Sequence, residues 1–166
     1  MKKSDTKISE PSEQQLSSLL KYYQTGLYIE AEKLSLSITK EFPNHQFAWK
    51  VLAIILKQTG RINESFIASQ KSVELNIQDA EAHNNLANTL LALGRIKDSE
   101  ISYRKAITLK PDYAKAYSNL GVILQEIGRL KEAEECHRKA IKLRTDFAED
   151  YYNLGDTLKE LGRLEE

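Results

Sequence analysis

From Ala80 onward the apolar positions form two helical stripes separated by a break. Leu86, Leu90 and Leu93 recur at helical spacing, Gly94 interrupts them, and Ile96, Ile101, Tyr103, Ala106, Ile107 and Leu109 resume the period. The pattern predicts a helix, a tight turn at the glycine, where a positive φ is cheap, and a second helix that doubles back. The unit recurs along the chain. Gly26, Gly60, Gly94, Gly128 and Gly162 each stand 34 residues from the last, and four of the five are followed by arginine. Residues 80–113 and 114–147 share 15 identities over 34 aligned positions. A fixed period of this length predicts stacked helical hairpins rather than one globular core.

The period divides the chain into a disordered leader, 1–11, and a solenoid over 12–166. The solenoid comprises repeats 12–45, 46–79, 80–113 and 114–147 and a partial repeat 148–166; positions below are counted 1 to 34 within each repeat. Pro43 and Pro111 close second helices, because proline disfavours helical geometry in the residue before it. Asn44, Asp79, Asp112 and Asp146 are expected to cap the helices that follow, and the aspartates mark the boundaries where Ile77 and Thr145 replace the proline. Gln15, Ser18 and Leu19 depart from the other repeats at positions 4, 7 and 8, so the first repeat reads as an amino-terminal cap. The last helix, with Tyr151, Leu154, Leu158 and Leu161, has no second helix after it. The expectation is a fragment of a longer protein whose uncapped C-terminal helix offers a route to self-association.

Packing explains the residue types. Small residues at positions 8, 20 and 27 let two helix axes approach within roughly 8 to 10 Å, and larger ones at 4, 7, 11 and 24 fill the remaining space. The positions are held by Trp49, His83, Tyr117 and Tyr151; by Leu52, Leu86, Leu120 and Leu154; by Ala53, Ala87, Gly121 and Gly155; and by Ala31, Ala133, Ala106 and Ala140. In this combination the chain resembles the tetratricopeptide repeat (TPR) family over residues 12–166. The resemblance implies an all-α fold, a right-handed α-α superhelical solenoid of tandem TPR helix-turn-helix repeats.

Composition removes several functions. The chain carries 24 basic and 24 acidic residues and no net charge, so it lacks the cationic surplus that binds nucleic acid. Its longest apolar run, Val51–Leu56, is far short of the roughly 20 residues that span a bilayer. The polar amino terminus carries no apolar signal segment, and a cytoplasmic location is expected. Cys136 is the one cysteine, which excludes an intramolecular disulfide and a cysteine cluster for zinc. No phosphate loop, metal-spaced histidine pair or nucleophile elbow is present, so no enzyme activity, cofactor or metal is expected. Cys136 and His137 are adjacent and point about 100° apart on a helix. His137 occupies position 24, filled by Tyr103 in the repeat before, and reads as a core residue; His83 likewise sits at the bulky position 4.

Function is therefore expected on a surface. The first helix of each hairpin lines the inner, concave wall of such a stack. Asn85, Asn119 and Asn153 recur there at position 6, whereas Ser17 and Val51 interrupt the row. An amide both donates and accepts, so aligned asparagines can hold an extended peptide by its backbone; asparagine at this position also serves by contacting only water or its own chain. Helices about 10 Å apart set against about 3.3 Å per extended residue give one rung per three peptide residues. Residues 80–143 look most like the superhelical repeats of O-linked N-acetylglucosamine transferases, and that resemblance implies an asparagine ladder gripping protein substrates. Lys50, Asn85 and Lys115 match places in the carboxylate clamp of co-chaperone repeats, but Ile54 and Asn119 stand where asparagine and a basic residue are expected, which argues against that clamp. Asn88, Glu81, Gln125, Leu91 and Glu149 complete an inner surface without dominant charge. The reading is a non-enzymatic scaffold that binds a protein or peptide, with no nucleic acid or membrane partner. The alternative is the substrate-recognition arm of a longer group-transfer enzyme.

Overall fold

The computed structural model describes residues 10–163, and contacts divide the chain into two compact units, Met1–Ile77 and Gln78–Glu166. Among the described residues the first unit holds α1 (Glu13–Gln24), α2 (Tyr28–Glu41), α3 (Gln46–Gln58) and α4 (Ile62–Leu75). The second holds α5 (Ala80–Ala92), α6 (Ile96–Leu109), α7 (Ala114–Glu126), α8 (Leu130–Leu143) and α9 (Ala148–Glu160). Pairs α1–α2, α3–α4, α5–α6 and α7–α8 are the hairpins that the periodicity predicts; α2 packs on α3, α6 on α7 and α8 on α9. Residues 1–9 of the expected leader, and 164–166 of the partial repeat, lie outside the described residues. Pro11 is buried and Ser12 caps α1, its hydroxyl accepting from the Gln15 N–H while Gln15 Oε1 accepts from the Ser12 N–H at 2.8 Å.

The turns repeat in atomic detail. All five glycines at position 15 have φ between +71° and +79°, where any other residue would be strained. Gly94 is typical: its N–H donates to the Leu91 carbonyl at 2.8 Å and the Arg95 N–H to that of Leu90 at 2.9 Å, which satisfies carbonyls that a helix end leaves orphaned. Second helices end just ahead of Pro43 and Pro111, as expected. The expected N-caps need correction. Asp79 does cap α5, accepting from the N–H groups of Glu81 and Ala82 at 2.8 and 3.1 Å. Asn44, Asp112 and Asp146 do not cap, because α3, α7 and α9 begin after His45, Tyr113 and Phe147. Asp79 stands at position 34 and the other three at 33, one residue too early to reach the first-turn amides. Bulky residues at position 4 close the loops from the other side. The Trp49 indole N–H donates to the Pro43 carbonyl at 2.9 Å and the Tyr151 hydroxyl to that of Thr145 at 3.0 Å.

The first unit buries Leu19, Ile38, Phe42, Val51 and Ile55 in one cluster and Leu52, Ala53, Leu56 and Ala68 in a second. In the second unit Ala87, Tyr103, Leu120, Ile123, Leu124 and Ala133 form the core. In three of the four hairpins a large residue at position 8 or 24 meets a small one at the other; in the second hairpin both are small. Leu19 goes with Ser35, Ala53 with Ser69, Ala87 with Tyr103 and Gly121 with His137, all of them buried. The last pair is the tightest. A Cβ on Gly121 would lie 2.7 Å from His137 Nδ1 and 2.8 Å from Nε2, inside the ring's own volume. Serine at position 20 adds a bond between paired helices: the hydroxyls of Ser65 and Ser99 donate to the Ala53 and Ala87 carbonyls at 2.7 and 2.8 Å. Outside the core, the arginine after the turn reaches back to a glutamate of the preceding second helix. Arg61 meets Glu32 at 2.5 Å, Arg129 meets Glu100 at 2.7 Å and Arg163 meets Glu134 at 2.6 Å. Burial raises the Glu100 pKa, but hydrogen bonds from Arg104 and Arg129 outweigh it and hold the carboxyl below its ordinary value.

His137 and Asp150 bring an imidazole and a carboxylate into the interior of the second unit. His137 is fully buried with neither ring nitrogen hydrogen-bonded. Asp150 is also fully buried, at position 3, where Ala48, Ala82 and Ala116 stand in other repeats; one carboxylate oxygen accepts from Arg144 at 2.8 Å and the other has no partner. Burial pushes the His137 imidazole below its ordinary value, against an opposing pull from Asp150.

Two predictions test this packing. Gly121→Ala should lower stability by about 1–3 kcal/mol through overpacking against the His137 ring. Gly155→Ala, at the same position with nothing within 4 Å of the added Cβ, should be neutral or stabilising by up to about 1 kcal/mol. Equal effects in thermal melts would contradict the complementarity. Because the folded His137 pKa lies below the unfolded value of about 6.5, the unfolded chain takes up that proton first. The corresponding stability is present above about pH 6.5 and is lost as pH falls through the folded value. Urea midpoints should therefore drop between about pH 7 and pH 5, and His137→Leu should flatten that drop; parallel slopes for the two proteins would exclude His137 as its source.

Candidate functional site

Helices α5, α7 and α9 carry asparagine at position 6, and all three asparagines lie in the second unit. Asn85, Asn119 and Asn153 are each half-buried. Their local backbones are fixed by neighbours: the Thr89 hydroxyl donates to the Asn85 carbonyl at 3.0 Å and the Thr157 hydroxyl to that of Asn153 at 2.8 Å. Lys115 lies exposed on α7, and Asn88 is half-buried on α5. Lys50 is on α3 in the first unit and is half-buried; Val51 beside it is a core residue, which accounts for the break in the row.

The amides do not all behave alike. The Asn119 side-chain NH2 donates to Asn84 Oδ1 at 3.2 Å and to Asn88 Oδ1 at 3.3 Å. Asn88 Oδ1 accepts a further bond from the Tyr103 hydroxyl at 2.7 Å. Asn84 is fully buried and Tyr103 is 1 % exposed, so the chain Tyr103–Asn88–Asn119–Asn84 begins and ends in the core and passes through the half-buried Asn88 and Asn119 between them. Burial pushes the Tyr103 phenol well above its ordinary value, which keeps its proton in place at any physiological pH. The sequence pattern supplied the position-6 row but not Asn84 or Tyr103. Their signal was a ring at position 24 over Ala87, one turn away from a second asparagine at position 9.

Gln125, expected on this surface, is fully occupied by its neighbours. Its NH2 donates to Asp156 at 2.8 Å and to Glu160 at 2.6 Å, and its Oε1 accepts from the Thr157 hydroxyl at 3.0 Å. Tyr113, which precedes α7, has its pKa raised to about 12, by burial first and then by the charges of Glu81 and Asp79. Cys136 opens to a 370 Å³ groove lined by Arg104, Ile107, Thr108, Tyr117, Leu120 and Glu135. Burial raises its thiol to about 11, so it carries almost no thiolate at neutral pH. His137 faces Gly121 instead of the thiol's groove, and the adjacent pair offers no activated nucleophile. Among the described residues no three His, Cys, Asp or Glu side chains converge to hold a metal, and no helix is long and apolar enough to cross a membrane. Tyr151 and Tyr152 on α9 are 49 % and 74 % exposed.

Comparison with known proteins agrees with this architecture. A family model for the tetratricopeptide repeat matches residues 78–146 and 112–166, together more than half of the chain. No curated protein matches the sequence. Among solved structures, MamA is similar at 22 % identity with a TM-score of 0.78, covering 91 % of this chain and 82 % of MamA. TTC0263, a thermophilic TPR protein of Thermus thermophilus, is similar at 21 % identity and a TM-score of 0.77, with 92 % and 84 % of the two chains covered. The first TPR of Spaghetti (RPAP3), solved bound to the HSP90 peptide SRMEEVD, is similar at 20 % identity and a TM-score of 0.68 over 70 % of this chain and 93 % of its own. At these identities the structures speak for the fold, and the family model speaks for descent. The hairpins, their glycine turns and the matched residues lead to one conclusion: this chain belongs to the tetratricopeptide repeat family.

Proposed function

We propose that the second unit is a protein-interaction module that holds an extended segment of a partner by its backbone, without catalysing a reaction on it. The observation that carries this reading is the recurrence of Asn85, Asn119 and Asn153 at one helical position, each with polar atoms left open to a ligand. A peptide backbone offers an N–H and a carbonyl at every residue, and an asparagine amide can meet both. Lys115 and Asn88 extend the same surface. The bound peptide in the RPAP3 structure supports the view that hairpins of this fold can present a peptide site.

Dodecapeptides selected from a random display library against the full chain provide a ligand for the test. The triple substitution Asn85→Ala, Asn119→Ala and Asn153→Ala should weaken such peptides about 100-fold, from roughly 1 kcal/mol per hydrogen-bonding rung. Titration calorimetry measures this, and an unchanged affinity in a folded triple variant would remove the asparagines from the binding surface.

A further inference from the structure

The ion pairs that join successive hairpins use four repeat positions, and the first unit departs from the second at one of them. In the second unit Arg104, Glu100, Arg129 and Glu132 stand at positions 25, 21, 16 and 19 and close a ring of contacts. Arg104 meets Glu100 at 2.9 Å and Glu132 at 3.1 Å, and Arg129 meets the same two carboxylates at 2.7 and 2.5 Å. The first unit has Glu32, Arg61 and Glu64 at three of these positions and Leu36 at the fourth, position 25. Arg61 stays with Glu32 at 2.5 Å but stands 3.9 Å from Glu64. Glu135, which lines the second unit's groove beside Arg104, is likewise replaced by Ile67 at position 22. These two changes open an apolar furrow. Leu36 of α2 and Ile67 of α4 wall it, 48 % and 63 % exposed, over a floor of Trp49, Leu52, Leu56 and Ala68. Its 220 Å³ takes one large side chain, since about 150 Å³ already admits a benzene-sized group. Glu32, Arg61 and Glu64 form its rim.

We propose that this furrow docks an amphipathic helix of a partner protein, which lays a large aliphatic residue between Leu36 and Ile67 and an arginine or lysine against Glu64. Charge complementarity selects that occupant. In the first unit two carboxylates face one guanidinium, where in the second unit two carboxylates share two. A cation carried by the ligand fills the place from which Arg104 reaches Glu132. Glu64 and Ile67 are three apart on α4 and share a face, so the aliphatic residue and the cation that meet them also lie about one turn apart on their own helix. The walls and floor are helices whose backbone groups are bonded internally. An extended segment would desolvate its N–H and C=O groups over apolar side chains with nothing to replace the water, whereas a helix brings its own hydrogen bonds. The furrow belongs to the first unit and uses none of the asparagines, so the inference stands apart from the peptide-binding reading above.

The test uses a display library of helices of about 16 residues, long enough to hold helical structure, built from alanine, leucine, glutamate, lysine and arginine and selected against the full chain. Selected helices should carry leucine with arginine or lysine three or four residues away. Replacing that leucine by alanine should cost about tenfold or more in affinity by titration calorimetry. Leu36→Arg supplies the fourth member of the ion ring at an exposed position, so it should leave the melting temperature unchanged or raised while weakening the selected helices about tenfold or more. Ile67→Glu should act in the same way and keeps the test open if Leu36→Arg misfolds, with circular dichroism as the control. Glu64→Gln should weaken binding several-fold at low salt and make it indifferent to the helix's cation, a coupling that a purely apolar contact would not show. The triple asparagine variant should bind the helices as the parent does. A selection that yields no helix dependent on both leucine and cation, or helices that bind Leu36→Arg and Ile67→Glu as tightly as the parent, overturns the proposal. So does a concentration-dependent dimer in light scattering that Leu36→Arg abolishes, because the occupant would then be a second copy of this chain.

Discussion

Close approach of the two helices in a hairpin governs the rest of this structure, and it is set where position 8 meets position 24. Where position 24 carries a ring, as in Tyr103 and His137, position 8 shrinks to Ala87 and Gly121; where position 8 is Leu19, position 24 is Ser35. The space is finite because protein interiors are packed to near crystal density, so in these hairpins a side chain gained on one helix is lost on the other, whereas Ala53 and Ser69 are both small in the second hairpin. Hairpins closed in this way keep one register. That register brings the end of each first helix to the same glycine turn and each position 6 to the same helical face. The serine hydroxyls of Ser65 and Ser99 work only under the same condition, since a carbonyl on the paired helix must lie within hydrogen-bond reach.

Much of this architecture was legible in the sequence. Glycine at a fixed interval identifies the turn, because few other residues tolerate the conformation found there, and the small and large alternation identifies which helix faces touch. The caps were less legible. Asp112 and Asp146 look like N-caps by residue type, yet a one-residue offset moves their side chains from the first-turn amides into the loop, and only the backbone path distinguishes position 33 from position 34. The buried Asp150 was not legible at all. It replaces an alanine and is accommodated because Arg144, at the preceding helix end, folds over Phe147 with its guanidinium 3.5 Å from the ring centroid and reaches the carboxylate.

The candidate site shows a similar division. Spacing places Asn85, Asn119 and Asn153 on equivalent turns, since identical periods put identical positions in line. Spacing says nothing about which way each amide faces, because that depends on neighbours from other helices. Asn84 and Asn88 come from α5, Asn119 from α7 and the phenol from α6. Gln125 illustrates the opposite outcome: on the same face, its whole amide is taken up by Asp156, Glu160 and Thr157 and little remains for a ligand.

Tyr103 joins the two halves of this account. Its ring is large because Ala87 opposite it is small, which is a matter of core volume; its hydroxyl reaches Asn88 because the ring spans the hairpin from core to inner face. A smaller residue at position 24, such as Ser69 in the second repeat, could fill its own hairpin but could not extend a donor that far. Ring size in the core and the hydrogen bond to Asn88 are therefore one choice made at one residue. A repeat protein built from near-identical hairpins has identical inner faces by default, and these differ only where a hairpin departs from its siblings. In the second unit the departure lies in the core, where Tyr103 and not a smaller residue reaches Asn88.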